Sequence, residues 1–208
     1  MVKVTQIEQK TKFQIPNAIK WNTLLFALSQ ALVGAGTQMN PALGALVVLR
    51  LTGSTALAGL GTSTMGVSRL LIAYPAGKIS DGFGRKPALL LGLILGMAGA
   101  ALTGLSVIWG SFPLVVVAFL VFGLGIGAVQ QIRVAEADMY PPQHRGLGMG
   151  YVLSGSLVGV LLAPALVALA QATSPRLGID ALSLPWLFVP AMIAPAVFLV
   201  FLVNPEPK

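Results

Sequence analysis

Charge is scarce in this 208-residue chain, with thirteen lysines and arginines against six acids, so each ionisable side chain inside an apolar run asks for a use. Arg69 stands in the run "STMGVSRLLIAYPAG", and Thr62 lies seven residues before it. Thr23, Gln30 and Thr37 repeat that spacing, which is close to two helical turns and places each set on one face. Gln130, Gln131, Arg133 and Glu136 follow in a later apolar run. An ionised side chain at membrane depth is costly, so it faces a wet path or a partner. These residues are therefore candidates for a solute path. Arg69 could contact an anionic group or join a gating ion pair; equally, it could snorkel or pair with helix carbonyls. Arg133 and Glu136, three apart on a helix, could pair with each other.

None of this assembles catalytic machinery. His144 is the sole histidine, and cysteine is absent. There is no zinc-ligand spacing, nucleophile elbow or phosphate-binding glycine loop. The expectation is a protein that is not an enzyme and uses no metal or other cofactor. A second concentration of charge falls at "GKISDGFGRKP", where Lys78, Asp81, Arg85 and Lys86 stand together between two apolar runs.

The elements that position these side chains follow from composition. Hydrophobic residues make up 56% and charged ones 9%, with a mean hydropathy of +0.86; a soluble domain carries about a quarter charged residues. Apolar runs reach the length needed to cross a bilayer. Stretches such as "LLLGLILGMAGAALTGL" do not alternate as barrel strands do, so the spans are helices. Six are expected, over about Trp21–Leu49, Ser54–Lys78, Pro87–Ile108, Phe112–Ala137, Gly146–Gln171 and Leu184–Val203. Residues 1–20 read as a cytoplasmic leader, 21–203 as one transmembrane domain, and 204–208 as a cytoplasmic tail. Short connections suggest that sequential helices are antiparallel neighbours.

The net charge of +7 is better explained by a membrane than by nucleic acid. With the amino terminus inside, Lys3, Lys10, Lys12, Lys20, Lys78, Arg85, Lys86, Arg145 and Lys208 all fall inside, against Arg50 and Arg176 outside. This asymmetry puts both termini in the cytoplasm. Glycines recur in four-residue steps at Gly92–Gly96, Gly123–Gly127 and Gly155–Gly159, a spacing that lets helix backbones approach closely.

At this point the residues meet a known pattern. Gly77-Lys-Ile-Ser-Asp81-Gly-Phe-Gly84-Arg85-Lys86 resembles the loop motif between the second and third helices of the major facilitator superfamily. That motif reads Gly, three residues, Asp, a basic residue, any residue, Gly, Arg, then Arg or Lys; Gly82 stands where a basic residue is usual. The stretch "GLGIGAVQQIRVAEADMYPPQHRGLGMG" is similar to the family's fourth helix, inner loop and start of the fifth, with Arg145-Gly146 in the usual place. Gly155, Gly159 and Pro164 resemble part of the fifth-helix motif of the family's antiporters, although Leu166, Val167 and Ala168 replace its later glycines. Phe119 stands where the family's proton-coupled exporters carry an arginine.

The resemblance implies an all-α polytopic membrane protein, one half of a major facilitator superfamily fold, in a prokaryotic inner membrane. It implies transport of a small solute by alternating access. Asp81 would cap and pair near a neighbouring helix end. Arg85 would reach an acid at the inner end of the fourth helix, where both Glu136 and Asp138 are placed. With Gly77, Gly84, Lys86 and Arg145 they would form an inner latch. The family ordinarily has twelve helices in two similar halves with substrate between them. Six helices here imply a second half, either a second copy in a homodimer or a separately encoded chain. The alternative is a non-transporting structural or assembly subunit of a larger membrane complex.

Overall fold

The computed structural model describes residues 15–204, and every regular element among them is helical. Most of the leader and the tail, with Lys3, Lys10, Lys12 and Lys208, lie outside the described residues. The helices are α1 (Asn17–Thr37), α2 (Ala45–Thr52), α3 (Leu60–Phe83), α4 (Arg85–Ile108), α5 (Phe112–Val129), α6 (Ile132–Met139), α7 (Arg145–Leu177) and α8 (Leu184–Leu202). A π-helical turn at Asn40–Gly44 joins α1 to α2, and 3-10 turns at Thr55–Leu57 and Pro142–His144 precede α3 and α7.

Among the described residues, five helical rods are long and apolar enough to cross a membrane: Thr55–Phe83, Arg85–Ile108, Phe112–Met139, Pro142–Leu177 and Leu184–Leu202. The expected first span is not among them. Asn22, Thr23, Ser29 and Gln30 dilute its apolar character, and it breaks before Gly44 rather than running unbroken to Leu49. Pro41 has no N–H to give the preceding turn, and the wider π turn absorbs the fault.

Two other boundaries differ from expectation. The helix expected to stop at Lys78 continues to Phe83, so Gly77 and Asp81 are helical and the connection is Gly84 alone. Gly84 has φ +91°, a conformation that side chains rarely adopt, and this explains the motif's glycine. The helix expected to end at Gln171 runs to Leu177, where Gly178 at φ +65° caps it in the left-handed conformation.

Sequential order is not spatial order. Helix α4 packs chiefly on α5 and α8, α1 on α7 and α8, and α3 on α5, whereas the chain neighbours α3 and α4 touch much less. The core sits where α4, α5 and α8 meet. There Trp186, fully buried, lies edge-on to Phe122 with ring centroids 5.7 Å apart. Apolar burial does not separate inside from outside in lipid, so close backbone packing has to hold these pairs. Gly92 and Gly96 receive Gly125 across the α4–α5 crossing, Gly123 and Gly127 of α5 pack against α3, and Gly155 and Gly159 of α7 pack against α1.

Burial is uneven. Half of the most apolar window of α4 is buried, against 22% for the α3 rod and 17% for the α7 rod. Leu70, Leu71 and Tyr74 on α3, and Leu157, Leu161 and Leu162 on α7, face outward.

At the end of the bundle away from Gly84, Arg50 pairs with Asp180 at 2.5 Å, and the Leu182 amide donates to Asp180 at 2.8 Å. Burial alone would raise the Asp180 carboxyl, but the Arg50 guanidinium and the Leu182 and Ser183 backbone hold it below its ordinary value. A carboxyl lowered by folding stabilises the protein above its unfolded pKa, and that contribution disappears as pH falls through the folded value. Both side chains are substantially exposed, so the pair is worth about 0.2–1 kcal/mol. Thermal stability should therefore decline as pH drops below about 4, and Asp180→Asn should flatten that decline. Parallel pH profiles for the two proteins would show that the pair contributes nothing.

Candidate functional site

A cavity of about 370 Å³ opens between α1, α3, the α5–α6 junction and α7. Its walls carry Thr37, Thr62, Arg69, Gln130, Arg133 and Ser156. Two breaks in helical regularity meet here. The π turn begins at Asn40 on one wall, and Gln130 and Gln131 interrupt the α5–α6 rod on the other. Irregular backbone at membrane depth is tolerated where protein buries it or where it lines a wet cavity.

The sequence-predicted path residues divide. Thr37, Thr62, Arg69, Gln130 and Arg133 come together in this cavity, while Thr23, Gln30 and Gln131 do not. Gln30 is buried with its Oε1 unpartnered. Thr23 lies about four turns from Thr37 and serves a different cluster. Its hydroxyl donates to Glu136 Oε1 at 2.5 Å, and the Tyr140 hydroxyl stands 2.9 Å from it. Glu136 therefore faces α1 and is fully buried. It does not pair with Arg133, whose Nε is buried without a partner on the cavity side.

At the Gly84 end the arrangement separates two acids that spacing left equivalent. Arg85 Nη2 donates to Asp138 Oδ2 at 2.9 Å, and its Nη1 reaches Gln131 Oε1 at 3.4 Å. Ser80 donates to the same Gln131 oxygen at 3.3 Å, which makes Gln131 part of this strap rather than of the path. Glu136, held by the Thr23 hydroxyl, is not Arg85's partner.

The remaining motif residues take other positions. Lys86 donates to the carbonyls of Phe201 at 2.6 Å and Val203 at 3.3 Å, and stands 4.8 Å from the Phe201 ring centroid. It caps the carboxyl end of α8, where orphan carbonyls favour a cation. Asp81 is exposed on the last turn of α3, with no ion pair among the described residues, so it does not make the cap expected of it. Gly77 has open space where a side chain would stand. Arg145 is exposed at the start of α7. Pro164 lies inside α7 beside the α1 contact and lines a neighbouring apolar groove.

Asn40, Tyr140 and Ser156 escaped the reading of the sequence. The available signal for Asn40 was Asn-Pro in the middle of an apolar run, which marks a helix break and a polar group at one place.

The apolar rods and the open polar cavity define an all-helical integral membrane protein. The family comparison is specific: the Major Facilitator Superfamily profile matches residues 26–208, and the chain belongs to that family. It is 28% identical over 185 residues to the uncharacterized MFS-type transporter YddS of Bacillus subtilis, covering 88% of this chain and 42% of that protein. It is 27% identical over 158 residues to the riboflavin transporter RfnT of Brucella anthropi, covering 76% and 40% respectively. Sugar transport protein 12 of Arabidopsis thaliana is 35% identical over 107 residues, covering 50% of this chain and 20% of that protein. The chain thus spans about two fifths of the length of the bacterial relatives.

Proposed function

We propose that this unit is one half of a secondary transporter that moves a small solute by alternating access, and that a second six-helix half closes over the cavity. The observation that carries this reading is the one-sided site. Polar groups of α1, α3, α5–α6 and α7 converge on a cavity, while the outward faces of α3 and α7 remain uncovered. Gly77 and Asp81 add to it, since a motif glycine with nothing against it and an unpaired acid are both available to an incoming surface. The first segment, Asn17–Thr52, completes the count of spans, with α1 packed against α7 and α8 and Trp21, Leu24, Leu28 and Leu46 exposed. The partner is a second copy of this unit or a separately supplied half. The bacterial and plant relatives named for riboflavin and for sugar support a small solute. Lys78, Arg85, Lys86 and Arg145 lie at the Gly84 end, which supports a cytoplasmic location for that end, and the reading is of a prokaryotic inner-membrane protein with both termini inside.

The protein has no cysteine, so an introduced thiol is its only one. Thr37→Cys in native membranes should react with a water-soluble maleimide and resist a lipid-soluble one. The reverse preference would mean that the cavity faces lipid or is sealed, as in a structural subunit.

A further inference from the structure

We infer that the cavity selects a small organic anion, a carboxylate or phosphate ester held between Arg69 and Arg133 with Asn40 binding its uncharged part. This rests on the transporter reading and adds the substrate class. Both guanidiniums line one cavity, and no carboxylate of the described residues pairs with either. The described acids are otherwise engaged or distant. Asp138 holds Arg85, Asp180 holds Arg50, Glu136 is turned to Thr23, and Asp81 lies at the last turn of α3. Arg69 has only a 3.9 Å contact to the Met65 sulfur, and the buried Nε of Arg133 has no acceptor. Arg69 is exposed and Arg133 half-buried on the cavity wall; two cations lining one recess repel each other, and a bound anion relieves both at once.

Asn40 supplies an independent observation. It is fully buried and lines the same cavity, yet neither its Nδ2 nor its Oδ1 has a partner. A buried carboxamide with both ends unsatisfied is costly unless something fills the site. Offering a donor and an acceptor, it suits a hydroxyl or amide on the body of the solute. The rest of the lining gives the same picture, because Gln130, Thr37 and Ser156 add neutral hydrogen-bonding groups and no negative charge. Guanidinium favours carboxylate and phosphate over chloride because its paired N–H groups match two oxygens.

The test is thermal unfolding of the purified full chain in detergent and in phosphatidylcholine nanodiscs, with benzoate, succinate and glycerol 3-phosphate as probes. Benzamide, succinamide and glycerol are their neutral counterparts. At least one anion should raise the melting temperature while its neutral counterpart does not. Arg69→Gln and Arg133→Gln should each weaken that anion about tenfold or more, with Arg69→Lys and Arg133→Lys recovering part of the loss. Arg50→Gln, in the distant ion pair, should leave binding unchanged. Stabilisation by the neutral compounds alone would overturn the anion assignment and leave the transporter reading standing. Stabilisation by phosphatidylglycerol nanodiscs without response to soluble anions would make the ligand a lipid headgroup, overturning the solute assignment. No response to any solute or lipid, with a cavity thiol reached only by the lipid-soluble maleimide, would remove the transporter reading itself.

Discussion

Alanine in place of Gly159 is expected to take apart the α1–α7 pair and leave little folded protein in the membrane. A single methyl there would fall closer than 3.0 Å to the Ala31 carbonyl oxygen and the Ala35 amide nitrogen, both backbone atoms of α1. Backbone cannot rotate out of the way as a side chain can. Gly155 meets the Ala27 carbonyl in the same manner one turn earlier, and Gly125 meets the Gly96 backbone across α4 and α5. Overpacking a tight core costs about 1–3 kcal/mol, and these sites belong at or above the upper end because a whole helix must shift. In lipid that loss has no hydrophobic compensation, since tails solvate the separated helices equally well. Gly77→Ala is the control, since it has open space and should fold normally. Melting temperatures within error of wild type for Gly159→Ala would contradict the packing described.

The second large effect is expected at Asp138. Asp138→Asn removes the one carboxylate that pairs with Arg85 among the described residues and leaves a neutral amide oxygen, a weaker acceptor, beside the 3.4 Å contact to Gln131. The pair ties the first turn of α4 to α6, so its loss frees the α6 end of the broken α5–α6 rod that also carries Arg133 into the cavity. With both side chains only partly exposed, the pair is worth about 1 kcal/mol, enough to shift a two-state equilibrium about fivefold. The rate at which a Thr37→Cys thiol is labelled from the Gly84 side should change by that factor. Glu136→Gln should behave differently, because among the described residues no cation pairs with Glu136 and the amide oxygen still accepts from Thr23. Exchanging the charges, Arg85→Asp with Asp138→Arg, should restore the wild-type rate. Equal labelling in wild type and Asp138→Asn would dismiss the strap.

Those two acids also show what could be read from the sequence and what could not. Both stand at the correct distance along the chain to meet Arg85, and spacing cannot say which way a side chain turns. That choice was made by Thr23, 113 positions from Glu136, whose hydroxyl claims it first and is itself in hydrogen-bond contact with the Tyr140 hydroxyl. The long apolar rods were legible because their period and length are local properties, and α4 and α8 lie within a few residues of expectation. The glycine steps were legible too, but Gly125, the residue that fits between Gly92 and Gly96, breaks the four-residue rule and appears only when α4 and α5 cross. The first span was misread because one proline converts a continuous helix into two pieces with a π turn between them. That fault is what brings Asn40 to the cavity, so the error in the fold and the omission in the site have one cause. Neighbour order was misleading for a related reason. Short loops force consecutive helices to reverse direction but do not force them to touch, and α1 finds α7 instead.

Access to the cavity from two sides in turn is the property on which everything else depends. In membrane vesicles of known orientation, Thr37→Cys and Thr62→Cys can be offered a charged, impermeant maleimide from one side at a time. Reaction from either side is expected, with an anion that stabilises the protein slowing both. Gly77→Cys cross-linked to the proposed second half should abolish reaction from the Gly84 side while sparing the other. Reaction from one side only, unchanged by that cross-link, would contradict alternating access.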